Sequence, residues 1–302
     1  MTSPNSQRPG LLAIAWLAIR PRTLTISLSP VLVGSALAYT QNLTLQVAPF
    51  LAALLAAILI QIGTNLHNDA VDFLKGNDLP DRPGPPRITA AGWVSPAIVQ
   101  QAALSCFLLA LLPGIYLVWS GGWPIFWIGC ASLLAGWSYS GGPLPISYTP
   151  LGEVVVLIFF GLLAVGGAGW LQHAPLDNSL WMSGFIVGLP AAAVLLVNNH
   201  RDRQADARVG RQTLAIILGE THSFRLYVAL LALPFCLLIQ LAVNGHPAAL
   251  LGLLVLPLAI LRSRDFHLAN TGEAFNQLLA NTAKTGFFLT LLLTFGLILE
   301  TC

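Results

Sequence analysis

The chain has 302 residues, 56% of them hydrophobic and only 9% charged, where ordinary soluble domains carry about 25% charge. That balance excludes a soluble globular enzyme and points to an integral membrane protein. A formal net charge of +2 gives no reason to expect a nucleic-acid partner.

Residues 1–19 form a short polar-to-apolar segment without a small-residue cleavage site, read as an N-terminal cytoplasmic segment and not a cleaved signal. Apolar runs between polar breaks then predict an all-α fold of nine transmembrane helices, near 22–40, 46–65, 97–117, 122–139, 152–171, 180–198, 226–243, 246–262 and 283–300. Together they make one membrane domain, 1–302. Loop charge orients it. Arg8, Arg20 and Arg22 lie before or at the start of the first span, and Lys75, Arg82 and Arg87 between the second and third. Arg201, Arg203, Arg208, Arg211 and Arg225 fall around the loop between the sixth and seventh, and Arg262, Arg264 and Lys284 between the eighth and ninth. The alternate connections WSGGWP, LQHAPLDNS and NGHP carry no Lys or Arg, so the positive-inside rule puts the N-terminus and every basic residue on the cytoplasmic side and the C-terminus outside. Cys106, Cys130, Cys236 and Cys302 are scattered singly, which suggests neither a disulfide framework nor a metal cluster.

The end of the second span, QIGTNLHNDAVDFLKGND, and the end of the sixth, NNHRDRQADARVGRQTLAIILG, share a pattern: Asn, then Asp four residues on, then another Asp. At about 100° per residue, Asn65, Asp69 and Asp72 fall within about 60° of arc, and Asn198, Asp202 and Asp206 within about 80°. Carboxylates at membrane depth need neutralising, and two oxygen-lined helix faces suit Mg²⁺, which favours one or two carboxylates plus substrate phosphates. Lys75, Arg201, Arg20 and Arg22 lie close enough in sequence to clamp phosphate oxygens. Spans two and six are four apart, which suggests a tandem repeat of a four-helix unit. A solvated charged cap and an ion-coupled transporter are the other readings of the same pattern, although transporter acids tend to sit near the bilayer midplane.

These two motifs resemble the paired aspartate-rich motifs of the UbiA superfamily of intramembrane aromatic prenyltransferases. RPRTLTISLSPVLVGSALA, GPPRITAAGWVSP, YSGGPLPISYTPLGEVVVLIFFGLLAVGG and FNQLLANTAKTG are similar to its 1,4-dihydroxy-2-naphthoate polyprenyltransferase branch, which serves menaquinone or phylloquinone synthesis. The resemblance implies nine helices around a central cavity in a bacterial plasma membrane or photosynthetic membrane. It also implies a Mg²⁺-dependent enzyme that joins a prenyl diphosphate to an aromatic acid, with loss of CO2 from a naphthoate acceptor. A 4-hydroxybenzoate, homogentisate or chlorophyllide acceptor is the alternative. Asn65, Asp69, Asp72, Asn198, Asp202 and Asp206 would hold the metal and diphosphate. Arg20, Lys75 and Arg201 would stabilise the departing diphosphate, and Tyr139 would face the reacting carbon. Asn68, Asp78, Arg87 and Arg211 stand as substrate-binding candidates, the two arginines for the acceptor's carboxylate. One departure is that the first motif spaces its aspartates by three residues, Asp69 to Asp72, where many relatives use four. Trp137, Phe159 and Phe160 supply ring faces for a carbocation. Glu153 reads equally as a helix N-terminal charge or a site residue, His67 and His200 as packing residues, and Gly166, Gly167 and Gly169 as close helix packing or room for the prenyl tail.

Overall fold

The computed structural model describes residues 8–301; residues 1–7 of the N-terminal segment and Cys302 lie outside them. Counting contiguous turns as one helix, the described residues form ten: α1 Leu11–Ile19, α2 Pro21–Asn42, α3 Val47–Leu74, α4 Pro96–Gly121, α5 Trp123–Ser138, α6 Gly152–Leu171, α7 Asn178–Arg208, α8 Leu214–Val243, α9 Pro247–Leu268 and α10 Gly272–Leu299. Helices α2–α10 correspond one to one with the nine expected spans. Eight of them are long and apolar enough to cross a membrane, and α5, at 16 residues, is the short one. The chain is thus an all-helical, multi-pass integral membrane protein.

Local chemistry sets several of the ends. Proline opens α2 and α4, where its missing N–H costs no hydrogen bond. Asp177 Oδ1 accepts the Leu180 N–H at 2.9 Å to cap α7, and Thr271 Oγ1 accepts the Ala274 N–H at 3.1 Å to cap α10. Helix α8 is interrupted at Gly219, whose φ of 66° suits a residue without Cβ.

The centre of the bundle is α7: 78% of its most apolar window is buried, against 11% for α3, which faces outward. Leu180, Ile186, Leu196 and Val197 of α7 pack with Tyr227, Leu231 and Leu238 of α8 and with Leu278, Leu289 and Leu293 of α10. In lipid such contacts act through close van der Waals fit and buried polar pairs, because tails outside are as apolar as the core. The Tyr227 and Thr282 hydroxyls pair at 2.6 Å inside this cluster.

Small residues let α6 approach α7. A Cβ on Gly161 would stand 2.6 Å from the Gly184 carbonyl oxygen. Of the three glycines read as packing or tail room, Gly169 meets Leu180, with a virtual Cβ 2.7 Å from Cδ1, and Gly166 and Gly167 lie against Trp181 and Ile128. Their surroundings are packing surroundings. Residues 157–163 of α6 form a π-helical stretch, a wider turn that brings both members of a consecutive pair, Phe159 and Phe160, onto the same interior cavity.

The segment before the first span is also helical. Ile14 and Ala18 of α1 pack on Leu66, Ala70 and Ile88, while Leu11, Leu12 and Trp16 stand exposed. Arg20 joins α1 to α2 in a left-handed conformation, φ 52° and ψ 66°, an uncommon geometry for a residue with a side chain. That turn sets Arg20 in the cavity wall.

Candidate active site

Helices α3 and α7 run past their apolar spans into polar ends that stay buried, and between them lies a cavity of about 280 Å³. Its two ends differ. Ile26, Ile60, Val155, Val156, Phe159 and Phe160 make an apolar part, while Arg20, Arg82, Arg87, Arg211, Asn68 and Asp202 lie at the polar end.

The face that α3 turns to the cavity carries Ala57, Gln61, Thr64, Asn65 and Asn68. Asp69 follows Asn68 and so points about 100° away. Its carboxylate accepts the backbone N–H groups of Ile88 and Thr89 at 3.2 Å each, together with the Thr89 hydroxyl. Asp69 therefore fastens the 87–89 turn to α3 and does not line the cavity, which departs from the expected arc. Asn65 does line it, but its amide donates to the Ile19 carbonyl at 3.0 Å and the Thr23 hydroxyl at 3.2 Å. Asn68 donates to Ser140 Oγ at 2.5 Å and to Asp72 at 3.3 Å.

Asp72, almost fully buried, is the hub. Arg87 reaches one oxygen and Arg211 the other, both at 2.5 Å, and Asn77 adds a bond at 3.0 Å. Arg211 also pairs with Asp206 at 2.9 Å, so one guanidinium ties the acidic end of α3 to that of α7. Asp202 is held by Arg201 at 2.7 Å and by Arg82 at 3.0 Å. Asp78 lies 3.0 Å from Arg87, yet neither of its oxygens has a hydrogen-bond partner among the described residues. The Nε atoms of Arg87 and Arg211 are likewise buried and unpartnered.

The remaining expected residues divide. Tyr139 and Asn198 line the cavity. Lys75 does not: its ammonium donates to the Ser140 carbonyl at 2.9 Å and sits 5.4 Å from the centre of the Tyr148 ring. The Arg201 nitrogen that holds Asp202 also donates to Asn198 at 2.8 Å, and another donates to Asn276 at 2.7 Å. Arg82, which the sequence placed only in a basic loop, reaches Asp202 from the loop after α3, and Asn276 holds that loop through the Pro83 carbonyl at 3.3 Å. Tyr148 is a second addition, with its ring 5.2 Å from Arg211. Only the aromatic within a Gly- and Pro-rich loop hinted at it.

Electrostatics outside the spans favour anions. Burial pulls the Arg20 guanidinium down to about 10, with neighbouring Arg87 adding to the effect, so it stays charged at neutral pH. Burial is the largest single influence on Arg87 and Arg211 and opposes their charge, but the carboxylates together, Asp72 with Asp78 for Arg87 and Asp72 with Asp206 for Arg211, outweigh it and hold both above the usual range. Burial pushes the Asp78 carboxyl up, and Arg87 only partly offsets this.

The donor set fits Mg²⁺ in company with a phosphate. Among the described residues no three His, Cys, Asp or Glu side chains converge as a metal cage by themselves. Asp78 pairs with Arg87 but has no hydrogen bond on either oxygen among the described residues, and the Nε groups of Arg87 and Arg211 are buried without a partner; Mg²⁺ characteristically binds few carboxylates plus substrate phosphates.

Residues 27–293 match the model of the UbiA prenyltransferase family. The chain belongs to that family. Its UbiA relatives include the 1,4-dihydroxy-2-naphthoate octaprenyltransferase of Bacillus subtilis (strain 168), 32% identical over 99% of this chain and 96% of the relative. The Escherichia coli (strain K12) protein of the same name is 34% identical over 95% and 96%. The fold is shared with a UbiA homolog from Aeropyrum pernix K1 at a TM-score of 0.70 and 17% identity, covering 92% of this chain and 98% of that one. It is shared too with one from Archaeoglobus fulgidus bound to GPP and Mg²⁺, at 0.65 and 15%, covering 94% and 99%.

Proposed function

We propose that this UbiA family member transfers a prenyl group from its diphosphate to 1,4-dihydroxy-2-naphthoate, releasing diphosphate and CO2, in menaquinone synthesis. The observation that carries this reading is the division of one cavity into a four-arginine end and an apolar, aromatic-walled part, the shape of a diphosphate with an isoprenoid tail. The acceptor follows from the near full-length relatives named for it.

Arg20, Arg82, Arg87 and Arg211 bind the diphosphate, the last two through nitrogens already buried and unpaired. Asn68, Asn198 and Asp202, which line the cavity, together with Asp72, Asp78 and Asp206, which do not line it but pair with the lining Arg87 and Arg211, are the residues that would hold Mg²⁺, which supplies charge neutralisation to the leaving diphosphate. Asn65 and Asp69 keep α1 and the 87–89 turn in place around them, and Lys75 and Arg201 fix the Ser140 loop and Asp202. As the carbon–oxygen bond to diphosphate breaks, the arginines stabilise the charge on the leaving oxygen. The allylic carbon left behind carries positive charge, and the walls of Tyr139, Phe159 and Phe160 exclude water while presenting ring faces to it. The naphthoate ring forms the new carbon–carbon bond at the carbon bearing its carboxylate. Loss of CO2 then returns the electron pair to the ring.

Arg20 and the loops that carry Arg82, Arg87 and Arg211 meet at the cavity's polar end, which supports a cytoplasmic active site and N-terminus. Purified protein supplied with Mg²⁺, a labelled prenyl diphosphate and a panel of aromatic acids should form a prenylated naphthoquinol from the naphthoate alone. Equal yield from 4-hydroxybenzoate or homogentisate would refute the acceptor, and no product from any acid would refute prenyl transfer.

A further inference from the structure

Beside the arginines and aspartates of the polar end, the start of α6, the face of α7 that carries Asn199 and the Ile146–Tyr148 turn add groups that none of the ion pairs uses. Glu153, in the first turn of α6, is only 4% exposed. Its Oε1 accepts the side-chain amide of Asn199 at 2.9 Å, and its Oε2 has no hydrogen-bond partner. A carboxylate accepts hydrogen bonds and donates none, so this contact decides which way the Asn199 amide lies. The NH2 group turns to Glu153, and the carbonyl oxygen is left for the cavity, which Asn199 lines. Ser147, on the short turn Ile146–Tyr148, lines the same cavity with a buried hydroxyl that has no partner.

We propose that Asn199, oriented by Glu153, and Ser147 form a subsite that receives the ring hydroxyl of the aromatic acceptor. This rests on the prenyl-transfer reading and names where the acceptor's other end is held. The oxygen of Asn199 backed by a carboxylate repels a phosphate or a carboxylate group, which the neighbouring arginines take instead, and it suits an O–H donor. Ser147 can accept or donate. Glu153 is a positioning residue in this scheme, acting through Asn199. A carboxylate at 153 is needed because glutamine there could donate as well as accept, which would let the Asn199 amide turn over.

The test reads binding directly. The full chain in nanodiscs is titrated, by the naphthoates' own fluorescence, with a naphthoate carrying ring hydroxyls and with the same acid lacking them. Wild type should prefer the hydroxylated acid by at least about tenfold, since a site built to bond a hydroxyl rejects the analogue without it. In Glu153→Gln that preference should fall to within about twofold, while affinity for prenyl diphosphate with Mg²⁺ stays unchanged. A merely structural Glu153 would move both ligands together. If Glu153→Gln does not fold, Asn199→Ala carries the same comparison. A hydroxyl preference that survives in the folded variant, or that is absent from wild type, overturns the proposal. Because binding is measured without turnover, a wild type that forms no product would refute prenyl transfer and leave this result readable.

Discussion

Asp69→Asn separates a residue that fastens a loop from one that touches substrate. The Asp69 carboxylate accepts two backbone N–H groups and the Thr89 hydroxyl, and it is 3% exposed. Asparagine keeps one acceptor oxygen and sets an NH2 group against the other N–H. One buried donor is then left unsatisfied and a charged hydrogen bond is lost, a cost of about 2–3 kcal/mol. For a chain of this size that corresponds to a drop in Tm of about 4–10 °C. The 87–89 turn carries Arg87, whose guanidinium joins Asp72 and the cavity wall, so kcat/KM for the prenyl diphosphate should fall as the turn loosens. The assay pairs thermal unfolding in detergent with limited proteolysis of residues 75–95, where the variant should be cut faster than wild type. Asp202→Asn is the contrast: Asp202 lines the cavity, and its substitution should lower turnover about a hundredfold, near 3 kcal/mol in the barrier, with a smaller change in Tm. If Asp69→Asn melts and resists protease like wild type while its turnover collapses, Asp69 acts on metal or substrate and the fastening role is refuted.

Arg211→Gln leaves Asp72 and Asp206 without their shared guanidinium, so it should cost both Tm and about a hundredfold in kcat/KM for the prenyl diphosphate, measured together by melting and kinetics. Unchanged kinetics would count against its place in the diphosphate site. Mg²⁺ should bind weakly to the protein alone and far more tightly with prenyl diphosphate present, because the described residues offer no cage by themselves. Calorimetry showing micromolar affinity without diphosphate would contradict that. Cysteines placed at Asn178 and Asn244, at the two ends remote from the cavity's polar end, should react with a membrane-impermeant label only from outside. Reaction from the cytoplasm alone would invert the proposed orientation.

Much of this architecture was legible in the chain, and the misses have physical causes. Hydropathy marks where lipid contact ends, not where a helix ends. The apolar run of the second span stops near 65, but α3 continues to Leu74 because its polar last turns are enclosed by α1, the 75–95 loop and paired arginines. The same reasoning explains α7 running to Arg208 and α10 beginning at Gly272. Periodicity brought Asn65, Asp69 and Asp72 onto one broad face, but an arc has no absolute orientation until neighbours are known. The cavity centres nearer Asn68, and Asp69 falls to the loop side. Arg82 and Tyr148 sit in Gly- and Pro-rich loops whose paths no repeat period encodes, so their approach to Asp202 and Arg211 needed the tertiary structure. The π-helical stretch at Leu157–Leu163 changes which residues share a face, and a 3.6-residue pattern cannot show it.

The central claim is that prenyl transfer and decarboxylation occur together in one cavity. Its most direct measurement is the stoichiometry of products from a carboxyl-labelled dihydroxynaphthoate and a prenyl diphosphate, with Mg²⁺ and purified protein. The account predicts labelled CO2 and diphosphate released in equal amounts, with a prenylated product that carries no label. Diphosphate released without labelled CO2, or a prenylated product that retains the labelled carboxyl, would contradict it.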